Sequence, residues 1–166
     1  VTTIAGNGSS GSADGVEDDA RFYQPRGITT DGTNLYITDW DNHTIRQLAL
    51  DTNTVTTIAG TAGNSGSTDG IGAAARFDSP RGITTDGTNL FIVDYWNNTI
   101  RKMVLATGAV TTLAGNPTSG RVSTDGTGAD AEFNVPSGIT SDGTSLFVTE
   151  RGEYYSTDYS TIREIR

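Results

Sequence analysis

His43 is the only histidine in the chain, so it is the one imidazole available as a general base. No serine or cysteine motif surrounds it, and no nucleophile, base and orienting group come together there, so a turn role is expected instead. Asp39, Asp94 and Glu150 recur at one place in a repeated motif. A ring of such carboxylates could hold a cation such as calcium. One acid at a fixed point per repeat is also what a turn requires, because it accepts the backbone N–H groups that follow, and that reading is preferred. Arg26 and Arg81 each follow a proline, with Ser137 in the third copy. They would bind an anion or pair with nearby acids, and the acidic total favours pairing. Asp14, Glu17, Asp18 and Asp19 lack the D-x-D-x-D-G spacing of a calcium loop and read as solvated charge.

These residues sit in a chain that repeats itself. Phe22, Phe77 and Phe133 are 55 and 56 residues apart, Pro25, Pro80 and Pro136 keep the same spacing, and VTTIAG at Val1 recurs at Val55 and, as VTTLAG, at Val110. Such self-similarity signals stacked supersecondary units. In the middle unit, Gly82–Thr85 reads as a strand closed by the Asp86-Gly87 turn pair, followed by strands at Leu90–Asp94, Thr99–Leu105 and Val110–Ala114. A long loop, residues 60–78, carries Ala73–Phe77 as a single helical turn that sends Phe77 under the sheet. A four-stranded sheet of this size has two apolar faces and cannot stand alone, so an all-β fold of four-stranded antiparallel blades packed radially is expected.

Composition narrows the function classes. A net charge of -9 repels nucleic acid and anionic membrane surfaces. The absence of cysteine removes disulfides and thiolate metal sites, and a single histidine removes the usual zinc site. No cofactor is implied. No apolar run approaches a membrane span, and no secretory n-region or h-region is recognisable, although an extracellular or cell-surface setting fits best.

The order of a phenylalanine, then P-x-G-I, a D-G turn, L-F/Y-I/V, an acid, and N-H-T-I-R or N-N-T-I-R resembles the NHL repeat, most clearly over residues 39–46. The resemblance implies a β-propeller, most often of six blades, used as a binding platform; a few relatives are enzymes. The third copy departs from the pattern by an insertion over residues 151–160. The whole chain, 1–166, then reads as one repeat domain: a lone fourth strand at 1–6 and units of about 7–60, 61–115 and 116–166. With Val1–Ala5 as a fourth strand and Thr161–Ile165 as a third, three blades make half of a six-bladed ring. Two chains are expected to associate head to tail as a homodimer, each lending Val1–Ala5 to the other's last blade like a clasp, since free ends would leave open sheet edges. A nine-bladed ring of three chains is less favoured.

In propellers of this kind the turns between second and third strands share one face. Here that face would carry Trp40, Asp41, Asn42 and His43, then Tyr95, Trp96, Asn97 and Asn98, then Tyr154, Tyr155, Asp158 and Tyr159, with Arg26 and Arg81 near the channel mouth. Aromatic plates beside Asp and Asn suit a carbohydrate or an extended peptide; alternatively they cover the blade ends or pack in the dimer. The expected function is a non-catalytic recognition scaffold. Two alternatives stand beside it. In one, the chain is an excised, ancestral-like or designed fragment whose property is assembly, as near-identical blades and a valine at position 1 suggest. In the other, it is a metal-dependent lyase or lactonase, which rests on fold analogy alone.

Overall fold

A computed structural model describes residues 1–118, 122–151 and 160–166. Strands form where apolar and polar residues alternate between Asp-Gly, Thr-Gly or Asn-rich turns. They are β1 (Gly15–Val16), β2 (Pro25–Thr30), β3 (Asn34–Asp39), β4 (Thr44–Ala49), β5 (Thr54–Ala59), β6 (Gly70–Ile71), β7 (Pro80–Thr85), β8 (Asn89–Asp94), β9 (Thr99–Val104), β10 (Ala109–Ala114), β11 (Pro136–Ser141), β12 (Leu146–Glu150) and β13 (Thr161–Ile165). They assemble into three antiparallel sheets ordered β1-β5-β4-β3-β2, β6-β10-β9-β8-β7 and β11-β12-β13. Among the described residues there is no α-helix, and no helix long and apolar enough to cross a membrane.

The expectation of four strands per sheet needs correction. Two sheets have five, because Gly15–Val16 and Gly70–Ile71 add a two-residue strand outside β5 and β10, pairing Gly15 with Val55 and Gly70 with Val110. The third has three, and Val1–Ala5 carries no ladder partner within its own chain. The helical turn expected at Ala73–Phe77 is a 3-10 turn at Gly72–Ala74, matched by others at Glu17–Asp19 and Gly128–Asp130. It does deliver Phe77 to a fully buried position.

Each first hairpin is set by its Asp-Gly pair. Asp31 Oδ1 accepts from the Thr33 and Asn34 amides while Gly32 takes a φ of 94°, and Asp86-Gly87 and Asp142-Gly143 repeat the arrangement. The sheets then pack face to face in chain order. Tyr36, Ile45, Phe77, Ile83, Leu90 and Ile92 belong to the apolar cluster between the first and second sheets. Val93, Ile100, Phe133 and Val148 fill the space between the second and third. Burial of side chains of this size contributes about 1.5–3 kcal/mol each.

Contact between sheets is closest at the first strands. A β-carbon on Gly27 would lie 2.2 Å from the Arg81 carbonyl oxygen, and one on Gly82 would lie 2.7 Å from that of Ser137. The glycine of P-R-G-I is therefore required by the approach of the next sheet. Thr38 Oγ1 accepts the Gly27 amide at 2.8 Å and donates to the Arg81 carbonyl at 2.7 Å, tying the two sheets together.

Candidate functional site

β2 and β7 each begin with Pro-Arg, and the registers Pro25–Asp39 and Pro80–Asp94 bring those arginines to the same end of their sheets as the residues after β3 and β8. The result is one continuous cluster. The Arg26 guanidinium lies 5.1 Å from the Trp40 ring centre and that of Arg81 lies 5.4 Å from the Tyr95 ring. The Trp40 and Tyr95 rings are 4.9 Å apart and tilted by 55°, and Trp96 stands edge-on to Tyr95, also at 4.9 Å. Tyr95 is buried, Trp40 half-buried, and Trp96 and Arg26 are exposed. Two tryptophans, a tyrosine and two arginines from consecutive repeats thus form one partly open surface.

The expected pairing of Arg26 and Arg81 with acids is not what occurs. Among the described residues neither has a carboxylate at ion-pair distance. Arg26 donates to Gln24 Oε1 at 3.0 Å, and Gln24 Nε2 in turn donates to Asp41 at 2.6 Å. The covered Nη1 of Arg81 has no acceptor. Stacking on the aromatic faces holds both guanidinium groups instead.

His43 and Asn97, expected on the binding face, are engaged by the fold. His43 ends a 3-10 turn in the left-handed conformation, φ 57°, and its Nδ1 accepts the Ser79 amide of the next sheet at 3.0 Å. Asn98, its counterpart with φ 52°, accepts the Val135 amide at 3.2 Å. Both amides belong to residues with positive φ just before a proline, at 55° and 54°, a disfavoured geometry that these bonds stabilise. The imidazole therefore clamps two sheets together. Asn97 and Asn42 donate to Asp94 and Asp39 and to the Gly66 and Gly11 carbonyls. Tyr154, Tyr155, Asp158 and Tyr159 lie outside the described residues.

Asp39, Asp94 and Glu150 are buried, and their oxygens are already engaged. Their amide donors are Tyr23, Asp78 and Asn134, which precede the first strand of each sheet; the turn after the acid contributes an asparagine side chain in the first two sheets. The main partner is an arginine that sequence reasoning did not single out. Arg46 Nη1 donates to Asp39 at 2.7 Å and Arg101 Nη1 to Asp94 at 2.8 Å, while Arg163 reaches Glu150 at 3.3 Å. Each guanidinium also stacks on the phenylalanine of its repeat, Phe22, Phe77 or Phe133. The second nitrogen of each fork meets Asp14, Asp69 or Asp125 at 2.8 Å. Asp14 also accepts from the Thr57 amide and hydroxyl, which corrects its reading as free loop charge. Burial pushes the Asp94 carboxyl up to about 6 against the opposing pull of Arg101, Asn97 and the Asp78 amide. The signal for these arginines is a Thr-Ile-Arg triplet whose arginine stands seven residues after the aspartate in the first two repeats.

No protein-family model matches the chain. Human NHL repeat-containing protein 2 is 34% identical over 107 residues, 62% of this chain and 15% of that protein, so the chain spans a small part of this curated relative. A structural genomics protein of unknown function from Bacteroides thetaiotaomicron superposes with a TM-score of 0.64 at 30% identity, over 70% of this chain and 30% of that one. An auxiliary nutrient binding protein from the same organism gives 0.64 at 25% identity, over 80% and 36%. Virginiamycin B lyase from Staphylococcus aureus gives 0.54 at 20% identity over 90% and 43%, a likeness of fold alone. The resemblance of the repeats to NHL repeats is borne out, and the fold is propeller-like.

Proposed function

We propose that these NHL-type repeats form a non-catalytic propeller platform that closes by exchanging a strand with a second copy and offers the Trp40–Tyr95–Trp96 face to a carbohydrate. The observation that carries the closure is a match between two open features. A groove of about 700 Å³ beside β13 is lined by Leu113, Gly126, Phe133, Arg163 and Ile165. In the other two sheets the corresponding space holds β5 or β10. Val1–Ala5 has the sequence of those strands, and the Gly6 amide donates to the Glu17 carbonyl as Gly60 does to Gly72 and Gly115 to Gly128.

The register follows from the two filled sheets. Ile45 faces Ala59, Arg46 faces Thr57 and Gln47 faces Thr56, and the second sheet repeats this with Ile100–Ala114, Arg101–Thr112 and Lys102–Thr111. Transferred to the groove, Ile162 of one copy faces Ala5 of the other, Arg163 faces Thr3 and Glu164 faces Thr2. Thr3 then donates to Asp125 as Thr57 does to Asp14, which explains why Asp125 alone of the three loop acids is fully exposed. The same closure covers the outer face of the first sheet. Ile28 is 62% exposed where its counterpart Ile83 is 6% exposed, and Ile162 is 75% exposed where Ile45 and Ile100 are fully buried. Covering such residues at two interfaces favours association by several kcal/mol, at about 1.5–3 kcal/mol per side chain.

A carbohydrate is the ligand class that best suits the exposed Trp96 and the half-buried Trp40, both packed against the buried Tyr95, because sugar rings stack on such plates. The similar solved structure described as an auxiliary nutrient binding protein supports a binding role, without naming the ligand. Sedimentation equilibrium on the chain, repeated after deletion of residues 1–6, tests the closure: a dimer that the deletion converts to monomer supports it. A monomer of the undeleted chain at micromolar concentration would refute it. The lyase- or lactonase-like alternative is a metal-dependent one, so a thermal shift on adding calcium or zinc would favour it.

A further inference from the structure

We infer that Arg26 and Arg81 together seat a carboxylate group, so that the sugar bound on this face is an acidic one. The inference rests on the recognition reading above and names its ligand more closely. The chain has 20 acidic and 11 basic residues. Arg46, Arg101, Arg163 and Arg166 each reach a carboxylate, and Arg21 and Arg76 donate to backbone carbonyls of their own loops. Among the described residues Arg26 and Arg81 reach neither, although they occupy matching positions in neighbouring repeats.

Their surroundings hold the charges in place without neutralising them. Trp40 and Tyr95 present ring faces to the guanidinium groups, and those rings touch each other, so both cations belong to one surface. The Asp41 carboxylate is linked to Arg26 through the Gln24 amide rather than by a direct ion pair. The Gly27 backbone lies against the Arg81 carbonyl, so the two first strands are brought as close as their backbones allow. In the third repeat Ser137 replaces the arginine, which confines the positive charge to the junction of the first two sheets. Guanidinium groups fork naturally onto a carboxylate, and charge-assisted bonds of this kind are the strong ones. The exposed Trp96 and half-buried Trp40 supply the flat apolar contact that a sugar ring needs. A long polyanion is disfavoured by the net charge of -9, whereas a short uronate oligomer carries few charges past that barrier.

The test is calorimetric titration of the full chain with a galacturonate trimer, the neutral galactose trimer and inorganic phosphate. The acidic trimer is expected to bind about tenfold or more tightly than the neutral one, with affinity falling as salt rises. Arg26→Gln and Arg81→Gln should each remove much of that preference, lowering acidic-trimer affinity more than neutral-trimer affinity, and Arg81→Lys should retain part of it. Circular dichroism shows whether each variant is folded. Equal affinity for the two trimers would overturn the carboxylate seat and leave sugar recognition standing. Phosphate binding as tight as the acidic trimer would overturn the assignment to a sugar acid. Binding of neither trimer by folded protein would overturn recognition itself.

Discussion

Gly27 approaches the Arg81 carbonyl so closely that a β-carbon on it would stand 2.2 Å from that oxygen. The glycine in P-R-G-I is thus explained by the neighbouring sheet rather than by its own hairpin. Replacing Gly27 with alanine forces the first two sheets apart and should cost about 1–3 kcal/mol, read as a lowered urea midpoint. An unchanged midpoint would mean that the sheets slide apart freely.

The His43 clamp makes a distinct prediction, because Asn98 performs the same task one repeat later. His43→Asn should be nearly neutral. His43→Ala leaves the part-buried Ser79 amide without its acceptor and should cost about 1–3 kcal/mol. Equal losses in the two variants would show that the ring contributes packing and not a hydrogen bond.

Arg101 joins Asp94 to Asp69 from a fully buried position. Arg101→Ala leaves the Asp94 carboxylate buried and uncompensated, at a cost of about 3–5 kcal/mol. Arg101→Lys should rescue little, since one ammonium cannot reach both acids as the planar fork does. Thermal unfolding of the two variants checks this, and full rescue by lysine would contradict the forked geometry.

The hairpin turns set the response to acid. Slight burial works the other way, but hydrogen bonds from Asn89 and Thr88 hold the Asp86 carboxyl down to about 2. The amides of Ser145 and Thr144 likewise hold Asp142 below the ordinary carboxylate range. A group depressed on folding stabilises above its unfolded pKa of about 4 and loses that contribution as pH falls through its folded value. Stability should therefore decline between about pH 4 and pH 2. Asp86→Asn removes one titrating group, so the variant should be less stable at neutral pH and converge on the wild type near pH 2. A constant difference across that range would contradict it.

What the sequence revealed and what it hid divide by distance along the chain. The Asp-Gly hairpins and the long strands were legible because their determinants lie within a few residues of each other. The two-residue strands β1 and β6 were not, being too short to show alternation and formed only by pairing with β5 and β10 about forty residues away. Arg46 reads as part of a motif and not as the centre of a core network, since Asp14 lies in the loop before β1 and Asp39 at the end of β3. Charge arithmetic alone steered Arg26 and Arg81 toward acids; the register that brings them to Trp40 and Tyr95 becomes visible only once the sheets are assembled. The Trp40–Tyr95–Trp96 grouping was anticipated as a shared face, but the contact between rings of consecutive repeats was not.

Strand exchange can be tested at the level of register, because the chain has no cysteine to interfere. Directly opposed residues on antiparallel strands place their α-carbons within the range a disulfide spans, about 4.4–6.8 Å. Thr2→Cys and Glu164→Cys are made in separate chains, mixed and oxidised, with Val1→Cys in place of Thr2→Cys as the out-of-register control. The account expects a covalent dimer from the Thr2 and Glu164 mixture and little from the control. Intact monomers from the Thr2 mixture, or equal cross-linking from the control, would contradict it.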